Sequence, residues 1–113
     1  MTASPRLVNN TIQQGKLTLE PTTCVIRYAG EALRLAAIEY RILSFLIRRA
    51  GDVVTYGTLA AKGLDWIEYD EERLPKLLST LAQRIERKLS AAGAPSLIHS
   101  IDGVGFHLSD KPV

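Results

Sequence analysis

The chain contains little cysteine and little histidine. Cys24 is the single cysteine among 113 residues, so no disulfide can form within the chain, and there are two histidines. Structural zinc sites use four cysteine or histidine ligands, so this composition predicts no zinc site. A nucleophile motif, a paired acid–base arrangement and a phosphate-binding loop are also lacking. We therefore expect a protein that is not an enzyme and that uses no metal or other cofactor.

Long apolar runs are lacking as well. No run approaches the roughly 20 residues that span a bilayer, because Glu39 and Arg41 interrupt the longest one. The first ten residues, MTASPRLVNN, lack the apolar core of a signal peptide. With 46% apolar residues, the chain is nevertheless too hydrophobic to be disordered and long enough to bury one core. These features favour a single soluble, cytoplasmic domain with no membrane partner.

The net charge of +2 produces no global basic field, but the charges are unevenly distributed. Residues 62–72 contain five acidic residues and one lysine, for a local charge of −4. Residues 73–90 contain five basic residues and one acidic residue, for a local charge of +4. Adjacent segments of opposite charge predict two surfaces with different partners.

The first third of the chain has the alternation and turn residues typical of β-strands. Strands are predicted at Lys16–Glu20, Cys24–Tyr28 and Glu31–Leu35, with an additional edge strand at Thr11–Gln13. Together they predict a small antiparallel sheet. Cys24 is then a strand residue of no special reactivity.

The apolar period then changes to that of helices. Residues 37–49 are apolar on most sides, which predicts a helix lying between other elements, and Gly51 is a plausible residue to end it. A very short strand is predicted at residues 53–54. Thr55 then offers an N-cap oxygen to a second helix over about residues 56–62.

A third helix is predicted from roughly Leu74 to Ser90, with Pro75 in its first turn, where a missing N–H costs nothing. At about 100° per residue, an arc of about 120° collects its apolar side chains. These are Leu74, Leu77, Leu78, Leu81, Ile85 and Leu89. The opposite side carries a polar stripe formed by Lys76, Thr80, Gln83 and Arg87, with Arg84 on its flank. The period alone leaves open whether this stripe is a solvated face or a binding surface.

Residues 98–108, IHSIDGVGFHL, place two β-prone arms around a glycine pair. We interpret Gly103 and Gly105 as glycines at a hairpin tip that adopt positive φ. The Asp102 carboxylate has room to hydrogen-bond the N–H groups of this turn. A phosphate cradle requires a glycine loop that leads into a helix N-terminus, whereas this loop leads into the second arm. The pattern therefore predicts a hairpin.

Four segments match the motifs of one known family. Leu35–Leu43 is similar to LTxxEfxLL, Gly51–Thr55 to GxVvs, Arg84–Leu89 to RLRxKL, and Ile98–Leu108 to the ixTVrGvGYrl wing. Together with the order of elements, they resemble the winged-helix output domain of OmpR/PhoB-type response regulators over about residues 15 to 109.

This resemblance implies an α+β fold. The expected architecture is a winged helix-turn-helix with an N-terminal antiparallel sheet, three helices and a C-terminal β-hairpin wing. This domain is expected to occupy residues 11–110, between short tails at residues 1–10 and 111–113.

The resemblance also implies that the chain binds duplex DNA sequence-specifically as a transcription regulator. The recognition helix, about residues 74–90, is expected to enter the major groove, and the wing, residues 97–108, to reach the adjacent minor groove or backbone. Gln83 is expected to pair with adenine through its amide. The other expected DNA contacts are Lys76, Thr80, Arg84, Arg87, Ser100, Asp102, Gly103 and His107. For the helix residues, ordinary solvation is the alternative.

Two further partners are implied by the family. The loop between the second and third helices is expected to contact RNA polymerase through Trp66, Glu68, Asp70 and Glu71. For Trp66, we favour a second interpretation, in which it anchors this loop by hydrophobic packing. A second copy of the chain, bound to a repeated half-site, is the other expected partner.

Some residues depart from the family pattern. Glu86 and Asp102 replace arginines, and Ala36 replaces the threonine that would cap the first helix. An acid in place of a phosphate-binding cation adds repulsion, so the rival hypothesis is a winged helix that binds proteins and has a weakened DNA surface. An RNA-binding winged helix is a third hypothesis. Exposure of Leu77 or Leu81 would favour the protein-binding rival, whereas burial of both would favour DNA.

Overall fold

The computed structural model describes residues 11–109, so the predicted tails at residues 1–10 and 111–113 lie outside the described residues. The elements are β1 (Ile12–Gln14), β2 (Leu17–Glu20), β3 (Val25–Tyr28), β4 (Glu31–Ala32), α1 (Ala37–Arg48), β5 (Val54–Thr55), α2 (Tyr56–Thr58, extended by a π-helical segment, Leu59–Gly63), α3 (Leu74–Ala91), β6 (Ile98–Ile101) and β7 (Gly105–Leu108).

The N-terminal strands form an antiparallel sheet in the order β1-β2-β3-β4, as predicted. Alternate residues of β2 and β3, among them Leu19 and Ile26, face the core because side chains along a strand point to opposite faces. Two details of the prediction are wrong. The last strand is only Glu31–Ala32, and Cys24 lies in the turn before β3, with a φ of 57°.

The α1 helix lies between other elements, as its all-round apolar pattern predicts, and contacts α3, β3 and β7. Its buried apolar side chains are Ile42, Leu43, Leu46 and Ile47. Gly51 follows the helix with a φ of 91°, as expected for a residue that ends it. The Gly51 N–H donates to the Leu108 carbonyl at 3.0 Å, which fastens the end of α1 to β7.

Thr55 precedes the α2 helix as its N-cap. Its Oγ1 accepts from the Thr58 N–H at 3.2 Å, which confirms the predicted cap. The helix then widens into the π-helical segment, where the Leu64 N–H donates to the Leu59 carbonyl at 2.9 Å. The apolar period predicted a regular helix and gave no sign of the widening.

The α3 helix has Pro75 in its first turn, as predicted, and buries most of the apolar arc. Its buried residues are Leu74, Leu78, Leu81, Ala82, Ile85 and Leu89. Leu77 is the exception, because its side chain stands at one edge of the arc and remains 46% exposed, whereas Leu81 is only 6% exposed. The sequence left the exposure of Leu77 open, and the structure places it at the surface.

A second sheet has the strand order β5-β7-β6 and includes the predicted hairpin. The β6 and β7 strands pair from Ile98 with Leu108 to Ile101 with Gly105. Phe106 of β7 is fully buried and meets the Tyr56 ring edge-on at 5.5 Å. This sheet places the hairpin beside the start of α2. Within residues 11–109, no helix combines the length and apolarity needed to cross a bilayer.

Candidate nucleic-acid interface

The polar stripe of α3 faces solvent, on the side of the helix away from the core. All five of its predicted contact residues are exposed: Lys76, Thr80, Gln83, Arg84 and Arg87. The Thr80 hydroxyl donates to the Lys76 carbonyl at 2.9 Å, which leaves its oxygen lone pairs available to another donor. The stripe combines cationic and amide groups, which suit phosphate oxygens and base edges, respectively.

Glu86 projects from the flank of α3 toward the beginning of the hairpin. Its carboxylate accepts hydrogen bonds from the Ile98 N–H at 2.9 Å, the Leu97 N–H at 3.2 Å and the Ser96 hydroxyl at 3.2 Å. These contacts satisfy two backbone donors where β6 begins, and they fasten the hairpin to α3.

This position corrects the interpretation of Glu86 as an acid on the DNA surface. The carboxylate is half-buried against the chain itself, so the polar stripe keeps its cationic character. A sequence signal did exist, because Glu86 is the single acidic residue in the basic segment 73–90. The sequence did not show that its partners are backbone groups about ten residues downstream.

We expect Glu86→Ala to reduce the free energy of unfolding by about 2–3 kcal/mol, because two partly buried N–H groups lose a charged acceptor. Urea denaturation followed by circular dichroism measures this change. Glu68→Ala is the matched control, since it removes an exposed carboxylate, and it should change stability by less than about 0.5 kcal/mol. Equal stabilities for the two variants would contradict the fastening role.

The hairpin turn places Ser100, Asp102 and Gly103 on the surface. The Val104 N–H donates to the Ile101 carbonyl at 2.9 Å and closes the turn. Within residues 11–109, the Asp102 carboxylate makes no hydrogen bond to this turn, so it is presented to solvent.

The two hairpin glycines differ in role. Gly103 has the predicted positive φ, at 75°. Gly105 is not among the positive-φ residues, but is buried in β7 against β5. The prediction that both glycines supply positive φ is therefore wrong for Gly105.

His107 differs from the other predicted wing contacts because it is half-buried. It pairs across the hairpin with His99, and the two rings meet edge-on at 5.1 Å. His99 Nε2 lies 3.0 Å from the Ser109 carbonyl. His107 Nδ1 is buried and finds no hydrogen-bond partner in the described part of the chain, residues 11–109. Sequence reasoning missed this pair, although the hairpin register, centred on Gly103, was sufficient to find it.

Lys88 turns away from the polar stripe and binds Glu39 of α1. The Lys88 Nζ donates to Glu39 Oε1 at 2.6 Å, and the Ala36 N–H donates to the same oxygen at 2.9 Å. Burial of Glu39 raises the pKa of its carboxyl, but the hydrogen bonds from Lys88 and Ala36 outweigh burial and hold the pKa below its ordinary value. Glu39 thus satisfies the N–H of the N-cap residue Ala36, which is the reciprocal half of a capping box, and also joins α1 to α3.

The acidic loop between α2 and α3 is held by its aromatic residues. Trp66 and Tyr69 pack against the core, and the Trp66 N–H donates to the Ala60 carbonyl at 2.9 Å, so the anchoring interpretation of Trp66 is confirmed. Asp70 has a structural contact as well, because its Oδ1 accepts from the Glu72 N–H at 2.9 Å just before α3.

The remaining loop side chains define its outer surface. Glu68 and Glu71 are exposed, and Ile67, which sequence reasoning did not single out, is 93% exposed. The loop therefore presents two carboxylates beside one apolar side chain.

These features together define a winged helix-turn-helix domain: an N-terminal sheet, three helices with the third exposed along a polar stripe, and a hairpin fastened beside it. The chain belongs to the family described as transcriptional regulatory protein, C terminal, whose model matches residues 30–108. The predicted resemblance to the OmpR/PhoB-type domains is thereby confirmed. The family is one of transcriptional regulators and not an enzyme class.

Individual relatives support this assignment. The chain is 31% identical over 108 residues to the two-component response regulator PhoP of Pseudomonas aeruginosa, covering 96% of this chain and 47% of that protein. It is 28% identical over 103 residues to the transcriptional regulatory protein QseB of Escherichia coli O157:H7, covering 91% of this chain and 44% of that protein. The chain thus spans about half the length of these curated relatives.

Solved structures show the same fold. The DNA-binding domain of RstA from Klebsiella pneumoniae, crystallised in complex with the RstA box, superposes with a TM-score of 0.74 and 25% identity, covering 90% of this chain and 99% of that one. The response regulator DrrB of Thermotoga maritima, an OmpR/PhoB homologue, gives a TM-score of 0.70 and 27% identity, covering 88% of this chain and 44% of that one.

Proposed function

We propose that this chain binds duplex DNA sequence-specifically as the output domain of a transcription regulator. The α3 helix lies in the major groove, and the wing, residues 97–108, lies against the adjacent minor groove or backbone. The domain responsible is residues 11–110. The observation that carries the proposal is the solvent-facing stripe of α3, which presents basic and amide side chains on the side opposite the core.

The position of Glu86 supports this proposal. An acid within the stripe would repel phosphates, but its carboxylate is bound to backbone N–H groups at the root of the hairpin. The same contacts fix the hairpin relative to α3, so the helix and the wing approach the duplex as one unit. Asp102 remains an exposed acid at the wing tip, and we expect the wing to contribute little electrostatic attraction.

The proposal is tested by fluorescence anisotropy with a duplex selected from a random DNA pool. Four exposed cations on or beside the stripe, Arg73, Lys76, Arg84 and Arg87, are expected to contact phosphates. The logarithm of the association constant should therefore fall with the logarithm of salt concentration with a slope of about −3 to −4. Absence of binding at low salt would reject DNA binding and leave the protein-binding rival.

Gln83 and Arg87 are expected to differ in what they contribute. Gln83→Ala should lose about 1–3 kcal/mol of binding free energy on the preferred site and little on mismatched DNA, because a bidentate amide–adenine contact is lost. Arg87→Ala should weaken binding to both duplexes equally and reduce the salt slope by about one, because a phosphate contact is sequence-independent. Equal losses on both duplexes for Gln83→Ala would exclude a base contact.

Two partner interactions accompany the proposal. The loop before α3 contacts RNA polymerase through Glu68 and Glu71, with Trp66 and Asp70 holding the loop in place. A second copy of the chain binds the neighbouring half-site. Because the chain spans about half the length of its curated relatives, we assign these partners to the domain and not to a whole regulator.

The protein-binding rival has one observation in its favour. Exposure of Leu77 was the sequence-based criterion for a protein partner, and Leu77 is exposed, as is Ile67 of the neighbouring loop. Leu81, the second residue of that criterion, is buried. The rival also rested on two acids, Glu86 and Asp102. We favour DNA because Glu86 is bound to backbone N–H groups and leaves the stripe cationic, so that only Asp102, at the wing tip, remains an exposed acid.

A further inference from the structure

Leu77 is an exposed apolar side chain near the start of α3. It is 46% exposed, and it borders a shallow groove with Arg73, Lys76, Thr80 and the acidic Glu72. Arg84, seven residues further along, lies only about 20° away around the helix axis. Leu77 therefore offers an apolar surface beside side chains that are suited to phosphates.

We propose that Leu77 contacts the C5-methyl group of a thymine and thereby selects an A·T pair at one position of the DNA site. This inference rests on the proposed DNA-binding function. The thymine methyl is the apolar group among the donors and acceptors of the major-groove base edges, and apolar side chains contact it there. The N-terminal part of a recognition helix is the part that reaches base edges, and Leu77 is the fourth residue of α3.

Two exposed cations lie on one side of Leu77 around the helix axis. They are Lys76 and Arg84, which are suited to phosphates and would hold this part of α3 close to the duplex. The other leucines of α3 are buried in the core, so none of them is available for the contact.

A second groove lies on the other side of Leu77. The lining of this groove has an apolar part, formed by Trp66, Tyr69 and Leu74, and a charged part, formed by Glu68, Asp70 and Arg73. A protein bound there is the competing occupant. A protein partner has no preference for a methyl group on DNA, so methyl dependence distinguishes the two occupants.

The test replaces each thymine of the selected site with uracil, one at a time. This replacement removes the C5-methyl and keeps the base pair. We expect one uracil position to weaken binding of the full chain about fourfold, which corresponds to one buried methyl-sized group. Leu77→Ala should bind the thymine site at least fourfold more weakly than wild type and should no longer distinguish thymine from uracil at that position.

Ile67→Ala is the matched control, because it truncates an exposed apolar side chain outside α3 and should retain the full uracil effect. If every variant and the wild type fail to bind DNA, the proposed function fails and the inference fails with it. If the wild type binds but no uracil position matters, or if Leu77→Ala keeps the wild-type uracil effect, the inference is overturned and DNA binding stands.

Discussion

Gly105→Ala is expected to reduce the free energy of unfolding by about 3 kcal/mol or more. A Cβ at this position would lie 1.9 Å from the Val54 carbonyl oxygen and 2.8 Å from Thr55 Cα. Both atoms belong to the backbone of β5, so no side-chain rotation can relieve the overlap. The β5 strand would have to separate from β7, and such overpacking in a buried sheet costs several kcal/mol.

Gly103→Ala is the matched control for this prediction. Gly103 has a φ of 75°, but no atom of residues 11–109 lies within 4 Å of an added Cβ. Its substitution should cost only about 1–2 kcal/mol, the penalty of a left-handed backbone for alanine. Urea denaturation of both variants measures the difference. Similar stabilities would show that the contact between β5 and β7 adapts to the extra atom.

Lys88→Met is expected to reduce the free energy of unfolding by about 2–4 kcal/mol at pH 7. The Glu39 side chain is only 4% exposed, and the variant leaves its carboxylate buried without its hydrogen-bonded cation. The loss should fall short of that for a fully buried pair, because the Lys88 side chain is 38% exposed and water can reach the vacated position. Lys62→Met, at an exposed lysine on α2, should change stability by less than about 0.5 kcal/mol.

The pH dependence of this loss provides a second measurement. In the wild type, the pKa of Glu39 lies below its ordinary value of 4.5, so its contribution to stability is present above pH 4.5 and is lost as pH falls through the folded pKa. Without Lys88, burial is expected to raise the folded pKa above 4.5. The variant then loses stability as pH rises through that value.

The difference between wild type and Lys88→Met should therefore grow from about pH 4.5 to pH 7. Unfolding curves at several pH values measure it. A loss that is independent of pH would show that Lys88 stabilises the protein through packing of its aliphatic stem. The double variant Glu39→Leu/Lys88→Met should recover part of the stability, because an apolar pair needs no compensating charge.

Three features hold the proposed binding elements of this short domain in place: Gly105, the ion pair between Glu39 and Lys88, and Glu86. Glu39 and Lys88 join α1 to α3, while Glu86 joins α3 to the hairpin. Gly105 allows β5 to approach the other side of the same hairpin. The solvent-facing stripe of α3 is therefore positioned by contacts that lie off the stripe. A substitution at one of these contacts can misplace the stripe and weaken DNA binding, although the substituted residue does not touch DNA.

The sequence by itself determined the order of the elements and the two faces of α3. Strand alternation, helical period and the Thr55 cap depend on residues a few positions apart, and such local patterns are present in the sequence whatever the path of the chain. The exposed stripe with Lys76, Gln83 and Arg87 was predicted in this way. The family motifs then indicated that these elements form the output domain of an OmpR/PhoB-type regulator.

Only the tertiary structure decided what the exceptional residues do. Glu39 and Lys88 are 49 positions apart, and Glu86 meets N–H groups 11 and 12 positions away, so no local period relates them. The exposure of Leu77 depends on how far neighbouring elements reach around α3. The role of Gly105 depends on the close approach of β5. Each of these contacts follows from the path of the chain in space. For that reason only the structure showed that Glu86, an acid expected to weaken the DNA surface, instead holds the hairpin against α3.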